Sequence, residues 1–475
     1  MTRLRNQPPE SEPAANPPQS VYLQSLGAAG TVTGSKHLLI TPKLNILIDC
    51  GLFQGVKALR EKNWEKPPID PASIGALLLT HAHLDHCGYI PLLVKNGFRS
   101  KVYMSQPTRD LAELILRDSA KLQEEDADKA NKHGYSKHQP AEALYTVRDV
   151  EAALPYFHVC DIRTATRLSD HISFSFHPSA HIAGACSIRI NCYGKGIVFS
   201  GDIGRRHSEL LPAPELLEGA DFVIMESTYG DRLHGQGDTA QELALVINNT
   251  IFNKGNVLIP CFAVGRAQEV MHMIYRLKRD NHIPSAIPEY LDSPMAASAG
   301  KVLQHYPEWF SIEKEDCARM LSGVTINRDY KNTEKIIRRG GSKIVMAASG
   351  MLTGGRVLEY LKHYLGDSRN TILLIGFQAE GTRGRALLNG GHELKMHGQY
   401  YPVLANIKEI EGLSAHADQS ELVNWARQFK ASKAHYFLVH GEPCALDALR
   451  VKLQDELKLP VKIMEQHHKE LLFTL

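Results

Sequence analysis

The sequence predicts an α/β protein of two domains, and three observations carry that prediction. The chain has 475 residues, more than a single hydrophobic core usually organises. Short apolar runs recur along it, and several end in metal-ligating side chains where a strand would turn over. Between about residues 235 and 391, helical stretches such as 239–252 alternate with buried runs at 257–259, 343–347 and 371–375. That alternation marks a parallel sheet with crossover helices.

Composition narrows the class. Apolar residues at 43% and charged residues at 22% are ordinary for a globular protein. A net charge of +2 does not advertise nucleic-acid binding, so any such function must rest on a local patch. The eight cysteines are scattered without a C-x-x-C pair, which fits a reducing compartment. No apolar run is long enough to cross a membrane. The expected location is cytoplasmic, with no membrane partner.

Residues 1–20 are rich in Pro, Glu, Asn and Ser and read as a disordered tail. Order is expected from Val21, with short strands at 21–26, 37–41 and 44–48. The last of these exits into Asp49. The run 76–79 reads as a buried strand leading straight into His81, His83, Asp85 and His86. Residues at i and i+2 of an extended segment point the same way, so His81 and His83 can grip one ion while Asp85 and His86 face a neighbouring position. Cys87 is a weaker candidate, because the adjacent side chains already complete a set. Residues 108–132 carry Leu111, Leu114, Ile115 and Leu122 at helical spacing, with Gly134 as a stop. Strands at 172–177 and 196–200 lead to His181 and Asp202. The strand 222–225 delivers Glu226, and the strand 434–439 delivers His440.

Thr80-His-Ala-His-Leu-Asp-His86 resembles the signature of the metallo-β-lactamase superfamily. Glu226-Ser-Thr-Tyr-Gly230, Ile259-Pro-Cys-Phe-Ala-Val-Gly-Arg-Ala-Gln-Glu269, Ala348-Ser-Gly-Met351, Gly381-Thr-Arg-Gly384, Leu413-Ser-Ala-His-Ala-Asp418 and Leu438-Val-His-Gly-Glu442 narrow the resemblance to its β-CASP family of nucleic-acid nucleases. The resemblance covers nearly everything from Val21 onward. It implies an α/β fold in which an αββα metallo-β-lactamase sandwich is interrupted by an inserted α/β β-CASP cap domain. The expected parts are residues 21–234, a cap at 235–391, and a return segment at 392–475.

The same resemblance implies a zinc-dependent ribonuclease in which a metal-held hydroxide attacks the phosphodiester. Two zinc ions per chain would be held by His81, His83 and His181 and by Asp85, His86 and His440, with Asp202 bridging. His83 stands where a diiron branch carries Glu, which favours zinc. His440 stands where DNA-repair members carry an apolar residue, which favours single-stranded RNA as partner. Asp85, Glu226 and His416 are the expected catalytic groups, with His416 as general acid. Asp49 and Asp418 are expected to orient the histidines, Asp418 holding the ring of His416. Ser349, Gly350, Thr382, Arg383 and Gly384 are expected to hold phosphates, with Arg266, Arg338, Arg339 and Arg385 as further basic lining. A homodimer is compatible with the sequence. The rival readings are a small-molecule ester or thioester hydrolase, which would not need the cap, and a non-catalytic RNA-binding scaffold, which usually loses ligands.

Overall fold

The computed structural model describes residues 19–134, 138–235 and 237–475. The expected tail lies outside these residues apart from its last two, and Ser20 already opens a strand.

Two seven-stranded sheets stack face to face. The first runs, in spatial order, Lys469–Thr474, Ser20–Gly27, Lys36–Ile40, Asn45–Ile48, Ile74–Leu78, Lys101–Met104 and Phe157–Val159. The second runs Val461–Ile463, His435–Leu438, Phe222–Met225, Lys195–Phe199, Cys186–Cys192, Ile172–Pro178 and Thr166–Arg167. Strand periodicity explains the layering. Ala76 and Leu78 point into the core between the sheets, with Phe174, Ile188, Phe199 and Ile224 opposite. Leu77 and Leu79 point the other way, onto Ile90, Leu93, Leu111 and Leu116 of the covering helices. In the second sheet Val223 and Met225 face Leu422, Trp425, Leu446 and Leu449 in the same manner. A register slip of one residue would swap these faces. Each fully buried Leu or Ile contributes roughly 1.5–3 kcal/mol, so the register that delivers the ligands is strongly held.

The third sheet runs Thr325–Ile326, Glu289–Asp292, Ile344–Ala347, Val257–Pro260, Thr371–Leu374 and Asn406–Glu409. Its strand pairings are all parallel. Helices cover both faces: Leu243, Ile247, Met271 and Ile274 meet one, and Val357 and Leu361 meet the other. Two expectations need correction. The third sheet does not end near residue 391, because Asn406–Glu409 pairs with Thr371–Leu374 beyond the hairpin Glu393–Met396/Gln399–Pro402. Leu122 is 47% exposed, because the helix Gln106–His133 outruns the core it covers. No described helix is long and apolar enough to cross a membrane.

Candidate metal centre

The first ligand stretch is shaped by a tight crossing of two loops. His83 caps the short helix Leu84–Cys87 in an extended conformation, and the N–H groups of His86 and Cys87 both donate to its carbonyl. A Cβ on Gly51 would lie 1.5 Å from the Asp85 carbonyl oxygen, so only glycine lets the 49–51 turn pass this close. That approach brings Asp49, at φ 59°, under the ligands.

Seven side chains then converge in two groups. His81, His83, His181 and Asp202 form one, Asp85, His86 and His440 the other, with the donor atoms of each group within 4.8 Å of one another. His83 Nδ1 lies 3.0 Å from His81 Nε2 and 3.1 Å from His181 Nε2. Asp202 Oδ2 sits 3.4 Å from each of those Nε2 atoms, and its Oδ1 sits 3.3 Å from His86 Nε2 in the second group. One carboxylate therefore offers an oxygen to each group.

The chemistry of this set fits zinc. Burial pushes the imidazoles of His81 and His181 well below their usual range and His83 down to about 4, so their nitrogens present lone pairs. A cation between these three neutral rings would accept a lone pair from each of them. Tetrahedral geometry at Zn–N of about 2.0–2.1 Å places ligand nitrogens about 3.3 Å apart, close to the separations here.

Hydrogen bonds from behind fix which nitrogen faces inward. The Thr80 hydroxyl donates to Asp49 and accepts from His81 Nδ1 at 3.1 Å. His86 Nδ1 donates to Asp49 Oδ2 at 2.7 Å. His440 Nδ1 donates to the Thr228 hydroxyl at 3.2 Å, and that hydroxyl donates to Glu226. Each arrangement leaves Nε2 free for the cluster. The contact of Asp49 with His86 agrees with the role that the family resemblance implied for it; the contacts of Thr80 and Thr228 were missed, although each sits inside a motif that the sequence singled out.

His416 stands apart from both groups. Its Nδ1 lies 3.1 and 3.2 Å from the two Glu226 carboxylate oxygens, and its Nε2 lies 4.0 Å from Asp202 Oδ2. Burial alone would depress this imidazole, but the Glu226 and Asp202 carboxylates hold it above its ordinary value. Asp418 does not hold the ring. It caps the helix Gln419–Arg427, accepting from the N–H groups of Glu421 and His234. Cys87 belongs to neither ligand group; its thiol donates to the Ala82 carbonyl.

The third sheet's loops reach the centre through Phe262. Its ring lies 6.2 Å from His83, and a Cβ on Gly350 would meet that ring at 2.9 Å. The polar groups expected to hold phosphate are largely engaged within their own loops. Ser349 Oγ accepts from the N–H groups of Thr353 and Gly354. Thr382 caps the helix Arg383–Leu388, and Gly384 packs on Gln378. Arg383 donates through Nε to Lys395 O and through Nη1 to Leu352 O and Thr353 O. Of the other expected basic lining, Arg266 is buried on Glu269, Arg338 pairs with Glu334, Arg339 donates to Tyr290, and Arg385 lies 3.3 Å from Glu380.

Comparison with known proteins agrees with this geometry. Family models described as a β-lactamase superfamily domain, a Beta-Casp domain and a Zn-dependent metallo-hydrolase RNA specificity domain match residues 44–251, 267–387 and 400–464. Ribonuclease TTHA0252 of Thermus thermophilus is 36% identical over 435 residues, which cover 89% of this chain and 94% of that protein. The chain belongs to the β-CASP family of the metallo-β-lactamase superfamily. Two proteins from Methanocaldococcus jannaschii are similar across most of their length. Transcription termination factor FttA is 32% identical, covering 91% of this chain and 72% of the relative. An RNase J-like protein is 31% identical, covering 88% and 92%. In this β-CASP chain the two donor groups could each hold a metal ion, in keeping with the Zn-dependent metallo-hydrolase model that matches it.

Proposed function

We propose that the chain is a zinc-dependent ribonuclease hydrolysing phosphodiester bonds of single-stranded RNA, with two zinc ions per chain. The observation that carries this reading is the pair of donor groups joined by Asp202, with the His416–Glu226 pair beside them. The ribonuclease and RNase J-like relatives and the RNA specificity model support RNA as the substrate. The site's cleft side is marked by its partly exposed members, His83, Asp85 and His416.

Zinc bound there supplies Lewis-acid polarisation of water and of the phosphoryl oxygens. The chain's own residues do the rest. Asp85, 21% exposed at its side chain, orients the attacking water and takes its proton. His416, held by Glu226 through Nδ1, presents Nε2 as the proton donor to the leaving oxygen. Thr80, Asp49 and Thr228 keep the ligand rings in register as charge builds.

The test combines metal analysis with cleavage of an RNA carrying different labels at its two ends. Two zinc ions per chain are expected, with cleavage lost on chelation and restored by zinc. One ion or none, after growth with adequate zinc, overturns the dinuclear reading. A zinc-loaded protein that hydrolyses small esters and leaves RNA intact overturns the ribonuclease reading.

A further inference from the structure

Beside the segment that carries His416 lies an open cavity of about 540 Å³. Arg205, Arg206, His207, His234, Asp418 and Glu421 contribute to its wall. It is joined to the centre by two backbone segments. Gly204 bridges His416 in antiparallel fashion, and the Ala417 N–H donates to the Ile203 carbonyl at 2.8 Å. His234 Nε2 donates to the carbonyl of His416 itself at 2.9 Å. Arg206 follows Asp202 by four residues, at most about 14 Å along an extended chain.

The charges lining this cavity are unequally committed. Glu421 Oε1 accepts from the Arg206 N–H and Oε2 from the Asp418 N–H. Asp418 accepts from Glu421 N, His234 N and the Ser420 hydroxyl. Both carboxylates thus serve the capping box of the helix Gln419–Arg427, whose N-terminal dipole offsets part of their charge. The guanidinium groups of Arg205 and Arg206 form none of the ion pairs found among the described residues. Arg205 donates to the Gly412 carbonyl, and its Nε is buried without a hydrogen-bond partner. The uncommitted polar groups here are cationic donors, suited to phosphate oxygens.

We propose that this cavity binds the phosphates of the RNA segment attached to the leaving oxygen. The proposal rests on the ribonuclease reading and adds to it a subsite for the departing fragment. Arg206 and His207, both exposed, make the outer contacts, and Arg205 makes the inner one.

The zinc-loaded full chain and its Arg206→Glu, His207→Glu and Arg206→Lys variants are compared on two substrates across a salt series. Bis(p-nitrophenyl) phosphate reports on the metal centre alone, and a single-stranded RNA oligonucleotide reports on centre and subsite together. Arg206→Glu should raise KM for RNA about ten-fold and lower the salt slope by about 0.7–1. His207→Glu should raise KM less. Hydrolysis of the small diester should be unchanged in both, and Arg206→Lys should keep the wild-type salt slope. Unchanged RNA KM and salt slope in Arg206→Glu overturn the subsite. A parallel fall on both substrates also overturns it, because the effect would then travel through the segment carrying Asp202. A wild-type protein that hydrolyses the diester but no RNA overturns instead the ribonuclease reading, and the occupant with it.

Discussion

The metal centre and the glycine loops of the cap differ in what their polar atoms are doing. Around Asp202, buried polar atoms converge on one another: His83 Nδ1 lies 3.0–3.1 Å from two other ring nitrogens, and the Asp202 carboxylate lies 3.3–3.4 Å from those two and from His86 Nε2. Such an arrangement is costly on its own and is relieved by a cation. In the loops around Ser349 and Arg383, the Ser349 hydroxyl and the Arg383 guanidinium are matched to backbone groups of the cap itself, although Gln378 Oε1 and Arg385 Nε are buried there without a hydrogen-bond partner. The first region is built to be completed by something else. The second is built largely to hold its own shape.

The largest effect should come from breaking the centre at its shared member. Asp202→Ala removes an oxygen from both donor groups, and it should release most of the zinc and lower kcat/KM by at least about a thousand-fold. Metal mass spectrometry and RNA cleavage on the same preparation check this. Retention of two ions with near wild-type cleavage would show that Asp202 does not join the groups.

A smaller effect separates proton transfer from metal binding. His416→Ala should keep both zinc ions and lose about 10²–10⁴ in kcat on RNA, with a much smaller loss on a diester whose phenolate leaves without a proton. Glu226→Gln should lose less. Because Glu226 holds the His416 imidazole above its ordinary pKa, its removal lowers that pKa. The acid is then deprotonated at lower pH, so the alkaline limb of the kcat profile should move toward lower pH. Equal losses on both substrates, or zinc lost with His416, would make these residues braces for the ligands.

How much of this the sequence reveals depends on where each partner lies in the chain. The convergence of His81 and His83 was legible because they follow a buried strand, where short spacing decides direction and alternation gives them one face. The strand Phe222–Met225 and the helix Thr239–Phe252 match their expected spans. What was not legible depends on distant pairing. Asp418, two residues from His416, was the local choice to hold its ring. Glu226 does so from 190 residues away, while Asp418 serves as a helix cap, the usual use of Asp before a helix. The strand Lys469–Thr474 left no sign that it would pair with Ser20–Gly27. Asn406–Glu409 lies past a hairpin, which hid its place in the cap sheet.

Arg383 gives the smallest effect and the sharpest test of the contrast between the two regions. Its placement between two glycines suggested a phosphate contact, yet its guanidinium joins Lys395 of the hairpin to Leu352 and Thr353 of the neighbouring loop. Removing it exposes carbonyls that water can partly satisfy, so Arg383→Ala should cost about 1–2 kcal/mol rather than the full value of charged hydrogen bonds. The cap loops around residues 350–356 and 393–402 should become more susceptible to limited proteolysis, while zinc content stays at the wild-type level. KM for RNA should change by less than about three-fold, as expected where little binding to the substrate is lost. Arg383→Lys should not restore resistance, because one compact ammonium cannot span carbonyls on two loops as a planar guanidinium does. A ten-fold rise in KM with unchanged proteolysis would reverse this assignment and return Arg383 to the RNA. The glycine loops would then share with the metal centre the property of being completed by a ligand.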